Sequence, residues 1–110
     1  MKLSILHYRT ATGRIPYQDW LAQLKDRTAT VAVIRRSIRI ELGELGDHKY
    51  AGDGVSELRI DVGPGYRVYY GMVDGTVVLL LTGGDKGSQE RDIARAKGYW
   101  KDYQKRYDQG

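Results

Sequence analysis

Between Glu57 and Lys86 apolar and polar residues alternate with a period of two, interrupted at two glycine-containing turns. Leu58, Ile60, Val62, Val68, Tyr70, Leu79 and Leu81 are expected on one side of the strands, and Glu57, Arg59, Asp61, Arg67 and Tyr69 on the other. Gly63-Pro64-Gly65 supplies the first turn. Asp74-Gly75 supplies the second, a pair suited to a type I′ hairpin because both residues tolerate positive φ. The pattern predicts a three-stranded antiparallel meander. Its expected register sets Asp61 opposite Arg67, Arg59 opposite Tyr69, and Arg67 beside Thr82. The unbroken apolar run from Val77 to Leu81 predicts a strand covered on both faces.

Elsewhere the spacing changes. Leu3 to Tyr8 reads as a short strand. Pro16 stands where a helix begins, and Tyr17, Trp20, Leu21 and Leu24 follow at helical intervals. Lys25-Asp26-Arg27 breaks that helix, and Thr28 or Thr30 is the expected cap of a second one. In the second helix Val31, Ile34, Ile38, Leu42 and Leu45 form a stripe expected to face the core. Arg35, Arg36 and Arg39 then fall on a solvated face or a nucleic-acid contact. Gly46 to Gly54 reads as a glycine-punctuated loop carrying His48 and Lys49 toward the polar face of the meander. Ser88 is the expected N-cap of a last helix, whose Ile93, Ala96, Trp100, Tyr103 and Tyr107 lie against the sheet. The expected class is α+β, one domain over residues 1–110: N-terminal strand, helical hairpin, meander and C-terminal helix.

Composition narrows the chemistry. The chain of 110 residues carries 18 Lys and Arg against 14 Asp and Glu, a net charge of +4 that suits a polyanionic partner. With no cysteine, disulfides and thiolate chemistry are excluded. The opening MKLSILHYRT turns polar too soon for a signal peptide, and no apolar run approaches membrane-spanning length, so the cytoplasm is expected and a membrane partner is not. Walker-type loops, the dinucleotide-binding glycine pattern and metal-ligand spacing are all missing, so neither cofactor nor metal is expected.

One constellation offers chemistry. Thr82-Gly83-Gly84-Asp85-Lys86-Gly87-Ser88 opens a helix, where free backbone N–H groups and the dipole favour an anion. Arg67 is expected at the end of the neighbouring strand, with Arg59 one strand further. Three cations gathered there would hold a phosphodiester and stabilise a pentavalent transition state. Equally, Glu57 and Asp61 would neutralise the arginines as cross-strand ion pairs. Spacing alone leaves both open.

The stretch ELRIDVGPGYRVYYG, followed by VVLLLTGGDKGSQERDIARAKGYW, resembles the RelE/ParE toxin superfamily, and within it the phage-Gp49-like, HigB-type addiction module killer proteins. The resemblance spans nearly the whole chain and implies a RelE-like fold. It also implies the toxin of a type II toxin–antitoxin module, a metal-independent, ribosome-dependent mRNA endoribonuclease that inhibits translation. Arg67 matches the arginine of the GYR motif, Arg59 a basic residue of the preceding strand, and Lys86 the basic residue after the last strand; these are the implied catalytic groups. Asp92 stands roughly where RelE has a tyrosine that stacks on the base, leaving Tyr69, Tyr99 or His48 for that part. His48, Lys49 and Tyr69 are the expected RNA-binding residues. The implied partners are mRNA, the ribosome and a cognate helix-turn-helix antitoxin, with DNA reached only through the antitoxin complex. The alternatives are a ParE-like, non-enzymatic inhibitor of DNA gyrase and an inactive, binding-only member.

Overall fold

Pro16 opens the first helix as expected, because its fixed φ suits the first turn and its missing N–H has no helical partner to lose. The computed structural model describes residues 2–107. β1 (Ser4–His7), α1 (Pro16–Gln23) and α2 (Arg27–Glu41) come first; β2 (His48–Gly52), β3 (Val55–Ile60), β4 (Tyr66–Val73), β5 (Val77–Asp85) and α3 (Gln89–Tyr107) follow. A single 3-10 turn, Lys86–Ser88, joins β5 to α3. The strands make one sheet in the order β1-β5-β4-β3-β2, with β1 parallel to β5 and the other pairs antiparallel. The chain is therefore a mixed α/β domain with a five-stranded sheet and a C-terminal helix.

Both faces of the sheet are covered. On one, Tyr17, Ala29, Val33 and Ile40 of α1 and α2 pack on Leu58, Ile60, Val68, Tyr70, Val78 and Leu80. On the other, Ala96 and Trp100 of α3 pack on Val55, Tyr69, Leu79 and Leu81. The Val77–Leu81 strand is thus buried on two sides, as its continuous apolar run predicts.

Four expectations are corrected. First, residues 48–52 are not a loop but the edge strand β2, turned into β3 by Asp53 and Gly54, both at positive φ. Second, the loop between β3 and β4 runs over residues 61–65, so Arg59 lies opposite Arg67 and Glu57 opposite Tyr69. Pairing shifts by two residues, which leaves every side chain on its expected face. Asp61 is exposed in the loop and does not oppose Arg67. Third, Val73 pairs with Val77 around Asp74-Gly75-Thr76, and β5 carries a bulge where Tyr70 meets Leu80 and Tyr69 meets Thr82. The turn, one residue longer than the two-residue loop expected, directs Leu79 and Leu81 toward α3.

The fourth correction concerns α2. Ala29, Val33 and Ile40 are its buried residues, whereas Val31, Ile34, Ile38 and Leu42 face outward. Two apolar stripes run along this helix, and periodicity cannot say which one meets the sheet. Small Ala29 permits close approach, and Arg36 settles the phase. Its guanidinium donates to the carbonyls of Arg59 at 2.6 Å, Leu45 at 2.8 Å and Asp47 at 3.0 Å, so it lies on neither a solvated nor a nucleic-acid-binding face. The cap is Asp26, which accepts from the Thr28 N–H at 2.9 Å.

The far end of α3 is fastened to the strand layer by Tyr8. Its hydroxyl donates to Asp102 at 2.5 Å, and Arg106 donates to the same carboxylate at 2.8 Å. Burial first, then the bond to Asp102, pushes the Tyr8 hydroxyl from 10.0 up to about 12. A hydroxyl raised in this way stabilises the fold below its unfolded value, and that contribution is lost as pH climbs through the folded one. Tyr8→Phe is expected to cost about 1 kcal/mol at neutral pH. It should also flatten the decline of stability between pH 10 and 12, checked by urea unfolding across that range.

Candidate functional site

Directly opposed residues of antiparallel strands share a face, so the register builds the site row by row. Lys49, Glu57, Tyr69 and Thr82 cross β2 to β5 in one row beneath α3, and Arg59, Arg67 and Gly84 form the next. Glu57, only 2% exposed, is the hub. Its carboxylate lies 3.1 Å from Arg67 Nε and 4.0 Å from an Arg59 guanidinium nitrogen. Gln89, the first residue of α3, donates to both Glu57 oxygens at 3.3 and 3.4 Å.

Lys86 joins from the other side. Its backbone N–H donates to the Gly65 carbonyl at 3.0 Å. A Cβ placed on Gly65 would meet the Lys86 Cβ at 3.7 Å and Arg67 Nη1 at 3.9 Å, so the two cationic side chains flank that glycine. Arg67 Nη1 also donates to the Tyr66 carbonyl at 3.1 Å, and Arg36 secures the backbone of Arg59. Arg59, Arg67 and Lys86 are therefore gathered at one end of the sheet as the spacing suggested. The difference is that one buried carboxylate, Glu57 rather than Asp61, serves both arginines. Among the described residues no salt bridge engages Lys49 or Lys86.

The expected RNA-binding residues separate. Lys49 is exposed on the edge strand and shares the face of Glu57 and Arg59. His48 is opposite Leu58, so its ring leaves on the opposite face, where Nδ1 bonds the Gly46 carbonyl at 2.8 Å. Tyr69 is 0% exposed under α3 and has no surface on which a base could stack. Burial pushes its hydroxyl up, the Glu57 and Asp92 carboxylates add to that, and Arg67 opposes it. Among the described residues that hydroxyl has no hydrogen-bond partner.

The glycine-rich anion loop is also corrected. Thr82, Gly83 and Gly84 are strand residues, and β5 runs on to Asp85. The turn that follows is capped by Asp85, not Ser88: its carboxylate takes the Ser88 N–H at 3.1 Å, so that donor is not free for an anion. The glycines serve close packing instead. A Cβ on Gly83 would overlap the Trp20 ring, and one on Gly84 would overlap the Asp92 carboxylate.

Asp92, expected only to complement the dipole in the first turn of the last helix, is buried over Gly84. It accepts from the Ser88 hydroxyl at 2.5 Å and lies 3.8 Å from Arg95. The four-residue step from Ser88 to Asp92 at a helix start was the available signal. Chemically, the site is a cationic rim of Lys49, Arg59, Arg67 and Lys86 above two buried carboxylates, a place for a phosphate but not for a bare cation. Among the described residues no three His, Asp or Glu side chains gather to hold a metal ion, and no helix is long and apolar enough to cross a membrane.

No family model matches the chain. Over 83 residues it is 45% identical to an uncharacterized protein of Haemophilus influenzae, an alignment covering 76% of this chain and 84% of that one.

Proposed function

The chain belongs to one family with this uncharacterized Haemophilus influenzae protein; from its resemblance to the RelE/ParE superfamily and from the cationic site we propose that it is the toxin of a type II toxin–antitoxin module, a ribosome-dependent mRNA endoribonuclease with a RelE-like fold acting in the cytoplasm. The observation that carries the proposal is the meeting of Arg67 and Lys86 across Gly65, with Arg59 opposite Arg67 on the neighbouring strand. Glu57 pairs with Arg67 at Nε and the Tyr66 carbonyl takes Nη1, so Nη2 is the terminal nitrogen offered to a phosphate.

In the proposed reaction the RNA 2′-hydroxyl loses its proton to solvent and attacks its own 3′-phosphate. The P–O5′ bond breaks, leaving a 2′,3′-cyclic phosphate and a 5′-hydroxyl end. Arg59 and Arg67 stabilise the charge gathering on the non-bridging oxygens. The Lys86 ammonium supplies the proton taken up by the departing 5′-oxygen. Lys49 extends the cationic rim along the backbone of the RNA. A cognate helix-turn-helix antitoxin would silence this face, and DNA would be met only through that complex.

Brief induction followed by mapping of transcript 5′ ends tests the proposal. Wild type should create new ends inside reading frames, and Lys86→Ala should cut about 100-fold more slowly. Lys86 is exposed, so the fold should be untouched. DNA breaks without RNA cleavage would point instead to gyrase inhibition. A binding-only protein is the second reading, favoured by the one carboxylate of Glu57 that engages both arginines; normal growth at high expression would establish it.

A further inference from the structure

We propose that the outward face of α2 docks an acidic amphipathic helix of a partner protein, a role that stands whether or not the chain cleaves RNA. Val31, Ile34, Ile38 and Leu42 are 40%, 43%, 57% and 60% exposed, and together they form a continuous apolar stripe. At 3.6 residues per turn Val31, Ile38 and Leu42 point almost directly away from buried Val33 and Ile40. A surface helix ordinarily turns charge to that pole, so an apolar stripe there marks an interaction surface. From Val31 to Leu42 it runs for about 16 Å at 1.5 Å per residue, or three turns, which matches the i, i+3, i+7 anchors of a helix laid alongside.

Charge selects the occupant. At the N-terminal end of the stripe a hollow of about 330 Å³ is lined by Arg27, Thr28, Val31, Ala32 and Arg35. An apolar side chain fits between its two arginines, and carboxylates one turn away would reach them. Arg39 extends the basic flank; its ion pair with Glu44 is 3.4 Å long and more than half exposed on both sides, so a partner's carboxylate can replace it. Glu41 is the acid on the opposite flank. A second copy of this chain, packed α2 against α2, would bring together two faces that each carry Arg27, Arg35 and Arg39 against Glu41 and Glu44, a net repulsion. A lipid surface is disfavoured because the stripe carries no tryptophan or other aromatic anchor.

The test uses the full chain and a synthetic helical peptide with leucine at i, i+3, i+4 and i+7 and glutamate between. Amide shift changes confined to α2 are expected. Binding should weaken at least about tenfold when lysine replaces the glutamates, and again in the Ile34→Ser/Ile38→Ser variant. Because those residues are exposed, the remaining spectrum reports an intact fold. Equal affinity for both peptides would overturn the proposal. So would preferential binding to phosphatidylglycerol vesicles, or a dimer in sedimentation that Ile38→Ser dissolves.

Discussion

Gly84→Ala is expected to lower the stability of the fold by about 1–3 kcal/mol, because the added methyl falls where the Asp92 carboxylate sits. Backbone strain is not the cause, since Gly84 has no positive φ and alanine can adopt its conformation. The cost is steric and electrostatic. Asp92 is buried and bound to Ser88, so it can yield only by lifting the first turn of α3 or by giving up that bond. Gly98→Ala is the matched control and should move the other way. Gly98 lies within α3, where a methyl group added to it would have nothing within 4 Å, so the change should stabilise by up to about 1 kcal/mol. Urea unfolding of the two variants beside wild type gives opposite signs from one chemical change. A Gly84→Ala protein as stable as wild type would mean that Asp92 does not rest on β5.

What could be read in advance depended on how local the cause was. Pro16, Asp74-Gly75 and the Ile93-Ala96-Trp100 spacing each act within a few residues, and the elements they mark stand where they were expected. β2 was missed although Asp53-Gly54 is the same kind of turn pair as Asp74-Gly75. The glycines around it masked a short, largely exposed edge strand, whose residues carry no apolar alternation for periodicity to register although its partner β3 follows at once. The inverted assignment of α2 has a longer-range cause: Arg36 finds carbonyls on β3 and in the loop before β2, contacts that no window of sequence displays. In the site, the faces survived a two-residue register error because side chains alternate. Of the two counter-ions expected, Glu57 engages both arginines, and Asp61, carried into the loop by the shift, engages neither. The burial of Tyr69 follows from α3 lying above its face of the sheet, a covering that strand periodicity does not reveal.

Arg67→Gln and Glu57→Gln are each expected to destabilise the protein by about 3 kcal/mol, since either change strands the other charge in a pair whose side chains are 12% and 3% exposed. The double variant should cost less than the sum, by about 1–3 kcal/mol, because two neutral amides of similar shape can bond one another. Folding and chemistry then part company. If Arg67 serves only to neutralise Glu57, restoring the balance of charge restores both stability and growth arrest. If Arg67 holds the scissile phosphate, the double variant regains stability while cleavage stays at least about 100-fold down. Glu57→Gln carries the complementary information. It keeps Arg67 but loosens the grip on its Nε edge, so cleavage should fall less than in Arg67→Gln despite a similar loss of stability. Measuring unfolding free energy and transcript cleavage on the same four proteins separates the two roles, because only direct contact with phosphate makes activity follow Arg67 rather than the ion pair.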